Sequence, residues 1–176
     1  TSVRKHLATP KGPKILNPPY TKIDDNIGLA TRCVPGKKEN GAVFNHPVSW
    51  AILAETKAGN GDRAFEIYQK ALPMNPEIVI DRYEVEPYVY AEYVTSPDHP
   101  TYGQASHSWL TGSSTWMLRD GIDSILGIKP HYKGLEISPC IPSKWEGYQI
   151  KRSFRDYDFK ITVKNPKAVK PPVEKP

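Results

Sequence analysis

Three stretches of this sequence crowd together the residue types that hold anions and polyols. The first is Lys38-Glu39-Asn40-Gly41, followed by Phe44-Asn45-His46-Pro47. A charged loop runs into a histidine at what reads as a helix start. Such a start presents free N–H groups and the positive end of the helix dipole. His46 adds a donor for an anion or a sugar, or else it merely caps the helix. The second stretch, Ser106 to Ser114, gathers hydroxyls around Gly112. A glycine lets a ligand come close to the backbone, and the Thr111 hydroxyl with neighbouring N–H groups can take a phosphate oxygen. Taken alone, this stretch reads more simply as a helix cap. The third, Glu84 to Tyr93, interleaves carboxylates with aromatic rings. Rings cover the apolar face of a pyranose, and carboxylates accept from adjacent hydroxyls. A partly buried aromatic segment with solvated acids has the same sequence. Glu84 and Glu86 could also be a hydrolase acid/base pair, which spatial separation decides and sequence spacing does not.

Other candidates carry less. Trp50, Trp109, Trp116 and Trp145 are expected in the core rather than as sugar platforms. His6, His99, His107 and His131 lack ligand-like spacing, so no metal site is assigned. Cys33 and Cys140 form no CxxC pair; one disulfide between them is open, and two free thiols in a reducing compartment are the simpler expectation. The net charge of +5 sits at the ends of the chain. Residues 1–14 carry Arg4, Lys5, Lys11 and Lys14 without an acid, and residues 164–176 carry four lysines against Glu174. A nucleic-acid binder concentrates its charge on a folded face. Here the ends read as solvated tails, so no nucleic-acid partner is expected. No apolar run approaches the roughly 18 residues that span a bilayer, and no signal peptide opens the chain, so no membrane partner is expected either.

The elements that must position these residues follow from periodicity. Proline, 18 of 176 residues, is about twice its usual ~5% share and disfavours long helices. Residues 1–36 read as an extended wrapping segment. A helix begins at Asn45 or His46, with Trp50, Leu53 and Ala54 on one stripe and Val48 and Ile52 beside it. Gly59-Asn60-Gly61 stops it, and Asp62 caps the next helix. That helix has a stripe of Phe65, Tyr68 and Leu72 and a neighbouring one of Ala64, Ile67 and Ala71, and Pro73 ends it. A third helix is predicted from about Ser108 to Leu126, with Leu118, Ile122 and Ile125 on its face and Gly127 as its stop. From residue 128 the period becomes two. Tyr148 to Phe154 and Tyr157 to Val163 read as strands around a tight Arg155-Asp156 turn, and Gly134–Ile137 as a further short strand. The expected organisation is a 1–36 wrap, a helical 37–127, a small antiparallel β unit at 128–163 and a Lys/Pro tail at 164–176. The fold class expected is mainly α. About three helices cannot close a core alone, so the chain is expected to be part of a larger helical domain.

Five segments carry a resemblance: KENGAVFNHPVSWAILAETKAGNGDRAFEIY, EPYVYAEYVTSPDHP, GQASHSWLTGSSTWMLR, ILGIKPHYKGLEISPCIP and FKITVKNP. In this order, over about His6 to Pro166, they resemble the C-terminal part of the inverting glycoside phosphorylases related to cellobiose phosphorylase, glycoside hydrolase family 94. The resemblance implies that residues 37–127 are the last helices of an (α/α)6 barrel, closed by the β layer. It implies that phosphate attacks the anomeric carbon of a β-glucoside of the cellobiose or cellodextrin type, giving an α-sugar 1-phosphate with inversion. It places His46, Thr111 and Gly112 at phosphate, and Lys38, Glu39 and Glu92 at sugar. Glu92 falls where cellobiose-acting members carry Gln, which leaves the sugar open. No cofactor is implied, since inorganic phosphate is a substrate. A cytoplasmic homodimer is expected, with the rest of the enzyme chain as partner. The family's general-acid Asp and a phosphate-binding Arg lie upstream of the matched region. No catalytic residue is therefore assigned, and the 176 residues alone are expected to be silent.

Two readings of other classes compete. A non-catalytic carbohydrate-binding module would bind sugar whether or not phosphate is present. An inverting hydrolase on a similar helical barrel would release free sugar and ignore phosphate. A β-1,2-glucan-building enzyme with the same module is a variant of the first reading.

Overall fold

The structure is a computed structural model and describes residues 2–75 and 79–166. The chain divides into two compact units, Thr1–Ala51 with Ile67–Met117 and Ile52–Glu66 with Leu118–Pro176.

The first unit opens with helix α1 (Ser2–His6) and a hairpin of β1 (Ala8–Thr9) and β2 (Gly12–Pro13). Thr9 Oγ1 donates to Gly12 O at 2.6 Å and accepts from Lys11 N at 3.1 Å, which closes the turn. Lys14 comes next and is only 9% exposed. Its ammonium lies 2.6 Å from Asp98 Oδ2 and 2.7 Å from Asn17 Oδ1. The solvated-tail expectation therefore fails at Lys14, which is an internal cross-link.

At the centre of this unit is a three-stranded antiparallel sheet of order β3-β4-β5, from Val43–Phe44, Ala91–Val94 and Ala105–Ser108. Its registers pair Val43 with Val94, and Ala91 with Ser108. Each neighbour is antiparallel, so β3 and β5 run the same way. Both end where β4 begins. Helix α2 (Asn45–Lys57) leaves β3 without a linker. The short helix α4 (Ile80–Tyr83) precedes β4, and α5 (Ser113–Arg119) follows β5 after four residues.

Along α2, Asn45, Val48, Ser49, Ile52 and Glu55 are buried, three and four apart as one helical face requires. Trp50 and Ala54, expected on the core stripe, are exposed instead. Helix α3 (Gly61–Ala71) buries Ala64, Ile67 and Ala71, one of its two predicted stripes.

In the second unit, Asp62 of α3 does more than open a helix. Its Oδ1 accepts from Ser143 N at 2.7 Å and from Ser143 Oγ at 2.9 Å. Gly61 beside it is required by close approach: a Cβ there would lie 2.4 Å from Ile141 O. Helix α5 runs on into a π-helical turn, Asp120–Ile125, and Gly127 follows with φ 70°. The continuous helix buries Ser113, Met117, Asp120, Ser124 and Ile125 and exposes Leu118. Two hairpins complete the unit: β6 (Ile128–His131) with β7 (Gly134–Ile137), and β8 (Gly147–Phe154) with β9 (Tyr157–Lys164). The last pairs Phe154 with Tyr157 around Arg155-Asp156, as predicted. Arg155 Nη2 donates to Tyr132 O at 2.7 Å, and Arg152 Nη1 to Ile128 O at 2.6 Å, so side chains of the long hairpin hold the short one.

The expectation of a mainly α chain is overturned. About 31% of the described residues are helical and about 25% lie in strands, in four small antiparallel sheets. The physical reason is local. The sheet of the first unit is built from strands of two to four residues, too short to show a period. The third helix begins at Ser113 rather than Ser108, because His107, within strand β5, and Trp109, just after it, adopt φ 58° and 65°.

Candidate functional site

The register of the first unit delivers three segments to one end of its sheet: the start of α2, residues 84–90 entering β4, and residues 109–112 leaving β5. Asn45 Nδ2 donates to Ala91 O at 2.7 Å, a buried bond that pins α2 to the first residue of β4. The His46 ring lies against Trp50 at 5.5 Å and Trp116 at 6.1 Å between centroids, and the two indoles meet edge-on at 6.4 Å. On the same side is Gly112. A Cβ there would sit 3.8 Å from His46 Cε1 and 3.6 Å from Trp116 Cδ1. The structure thus brings His46 and Gly112 to one small space. The Thr111 hydroxyl bonds the Ser113 hydroxyl and accepts from Ser113 N at 3.2 Å, so it caps α5.

Glu92 occupies the middle of β4. The register sets His107 opposite, and His107 Nδ1 lies 3.3 Å from Glu92 Oε2. That nitrogen is also 2.9 Å from Ser106 Oγ. Glu92 Oε2 is buried and has no hydrogen-bond partner among the described residues. A buried acceptor without a hydrogen bond is costly, and the neighbouring His107 ring, 3.3 Å away, does not supply one.

Two carboxylates flank this centre. Gln104 Nε2 donates to Glu84 Oε2 at 2.6 Å, and Trp109 Nε1 to Glu86 Oε1 at 3.0 Å. The Glu86 carboxyl is held below the usual range by its own backbone N–H, by the Trp109 indole and by Ser108. A general acid needs the opposite shift. Beneath them Tyr83 is buried and donates to Val89 O at 3.2 Å, and burial pushes its phenol up to about 12.

Lys38 and Glu39 occupy a tight turn before β3. Gly36 N donates to Asn40 O at 2.8 Å, Asn40 N to Lys37 O at 2.9 Å, and Lys38 takes φ 45°. The shaping residue is Asn40, which sequence reasoning did not single out. Its fully buried amide accepts from Tyr20 N at 2.7 Å and donates to Tyr20 O at 2.9 Å and Cys33 O at 2.7 Å. The available signal was the Asn40-Gly41 dipeptide, a turn former. Glu39 Oε2 stands 3.9 Å from Cys33 Sγ, and burial, then that carboxylate, push the thiol up. Among the described residues, the hydrogen bonds of Lys38 and Glu39 go to Ala42 and Cys33, not to His46 or Gly112. The tryptophan expectation fails at two positions: Trp50 is 53% exposed and Trp109 72%.

Residues 1–127 match the glycosyl hydrolase 94 superfamily, catalytic domain. The chain belongs to this superfamily. It is 41% identical over 168 residues to the N,N'-diacetylchitobiose phosphorylase of Vibrio proteolyticus, covering 96% of this chain. It is 37% identical over 164 residues to the solabiose phosphorylase of Paenibacillus borealis, covering 93% of this chain. With the cellobionic acid phosphorylase of Neurospora crassa it shares 31% over 166 residues, 92% of this chain. Each alignment takes in 21% of the relative, so the chain spans about a fifth of the length of the family members it matches. The family resemblance drawn from five motifs is thereby established, and it extends through β6–β9, beyond the superfamily match. No described helix is long and apolar enough to cross a membrane.

Proposed function

We propose that this chain serves the phosphorolysis of a β-linked disaccharide. Phosphate attacks the anomeric carbon from the face opposite the leaving sugar. The glycosidic C–O bond breaks as the new C–O bond to phosphate forms, and the leaving oxygen takes a proton. The products are an α-sugar 1-phosphate and a free sugar. His46 and Gly112 hold the phosphate, with Thr111 fixing the turn between them and α5. Glu92 accepts from a sugar hydroxyl, and Lys38 and Glu39 contact sugar from their turn. The proton comes from a carboxylic acid elsewhere in the catalytic domain, and no cofactor takes part. The family likeness extends the proposal to a cytoplasmic homodimer that includes the rest of the enzyme.

One observation carries this reading: His46 and Gly112, remote in sequence, share a space at the end of a sheet whose central strand holds a buried carboxylate oxygen, Glu92 Oε2, with no hydrogen bond among the described residues. An anionic nucleophile needs positioned donors. A polyol needs acceptors, and the same sheet end supplies both. The test is product analysis in the enzyme that carries these residues. Sugar 1-phosphate must appear in proportion to phosphate consumed. Free reducing sugar released at the same rate without phosphate would overturn the reading in favour of hydrolysis.

A further inference from the structure

The loop between β5 and α5 holds a side chain that packing does not explain. Trp109 is 72% exposed, yet its backbone sits at φ 65°, in the left-handed region that a bulky residue enters only at a cost. His107, two residues earlier, is at φ 58°. The large ring nonetheless keeps one hydrogen bond, its N–H donating to Glu86 Oε1 at 3.0 Å. Burial gives no return for this strain. A solvent-facing indole held at its edge leaves its π face free. Tyr88, two residues from Glu86, is also exposed.

We propose that Trp109 is a stacking platform for a pyranose ring and that Glu86 both orients the indole and accepts from a hydroxyl of that sugar. The inference rests on reading this sheet end as a carbohydrate site and adds to it a specificity-determining pair. The apolar face of a β-linked pyranose lies flat on an indole, while its equatorial hydroxyls point outward at the ring edge, where Glu86 stands. A carboxylate offers about four acceptor positions. The indole N–H takes one of them, leaving others for the ligand.

The test titrates the enzyme that carries these residues with cellobiose and with N,N'-diacetylchitobiose, following the indole N–H signal of Trp109, assigned by its loss in Trp109→Phe. The expected result is a saturable shift of that signal with at least one disaccharide. Affinity should fall about tenfold or more in Trp109→Ala and less in Trp109→Phe, which keeps a ring. Trp109→Gly relieves the strained backbone, so it should preserve the melting temperature while losing the sugar. A purely structural Trp109 gives the reverse, with unchanged affinity. Affinity unchanged in Trp109→Ala, or no shift with either disaccharide, overturns the inference. A parallel titration with inorganic phosphate separates the two proposals. Sugar binding at Trp109 with no response of His46 to phosphate sinks the phosphorolysis reading and leaves this one standing.

Discussion

Asp98 and Asp120, one in each unit, are treated by the chain in opposite ways, the first an exposed acid paired with a buried lysine and the second a buried acid. Burial alone would raise the carboxyl of Asp98, but hydrogen bonds from Lys14 and Ser96 and the lysine charge outweigh it and hold it below the usual range. Asp120 is 2% exposed, its Oδ2 has no partner among the described residues, and burial pushes it up to about 7. In the first unit, internal polar groups are spent fixing turns: Lys14–Asp98 ties residue 14 to the loop after β4, Asn40 shapes the Lys38-Glu39 turn, and Asn45 docks α2 on β4. The second unit carries an ionisable group with no such return. Site geometry therefore belongs to the first unit, and a cost in stability belongs to the second.

The largest expected effect breaks this contrast from the second unit. The folded pKa of Asp120 is raised, so its contribution is fully present below its unfolded value near 4 and is lost as pH rises through about 7. Asp120→Asn removes the titration. Measured by urea unfolding, the stability difference between variant and parent should shift in favour of the variant by about 4 kcal/mol between pH 4 and pH 8. A flat difference would mean that Asp120 finds a partner. Lys14→Met acts on the other side, leaving Asp98 without its cation but open to water, and should cost about 1 kcal/mol at pH 7. Asp98 has a lowered pKa, so its stabilisation is present above its unfolded value and is lost as pH falls through its folded one. The penalty of Lys14→Met should accordingly shrink in acid, opposite in sign to the Asp120 profile.

These two aspartates also show what the sequence makes legible. The β8–β9 hairpin was readable because its eight-residue strands alternate and its turn is local. The Ala64, Ile67 and Ala71 stripe was readable for the same reason. The β3-β4-β5 sheet was not, since strands of two to four residues pair across long loops and leave no period. That hidden sheet is what sets His46 beside Gly112, so these residues were nameable while their meeting was not derivable from periodicity. Lys14 looked like tail charge because nothing local marks its partner, Asp98. Trp50 and Trp109 looked like core because bulk predicts burial on average, while exposure is decided by which face the helix or loop presents.

Function sharpens the contrast further. His46→Ala should raise the KM for phosphate about 100-fold, the scale of losing one positioned donor, while Asp120→Asn leaves it unchanged. Initial rates against phosphate at fixed disaccharide, in the enzyme that carries these residues, read both. A comparable rise in both variants would erase the division of labour between the units.

Glu92→Gln is the finest test, because it keeps shape and changes only charge and hydrogen-bonding sense. The carboxylate now leaves Oε2 buried without a donor, 3.3 Å from His107 Nδ1. An amide can donate where the carboxylate only accepts. If a sugar hydroxyl is the missing donor, the amide should weaken that contact and favour a ligand presenting an acceptor at the same place, shifting the ratio of kcat/KM between two disaccharides about tenfold or less. The KM for phosphate should stay constant. Were it to move with the sugar, Glu92 would be acting on His46 and Gly112 through the sheet, and the two corners of the site would have to be treated as one.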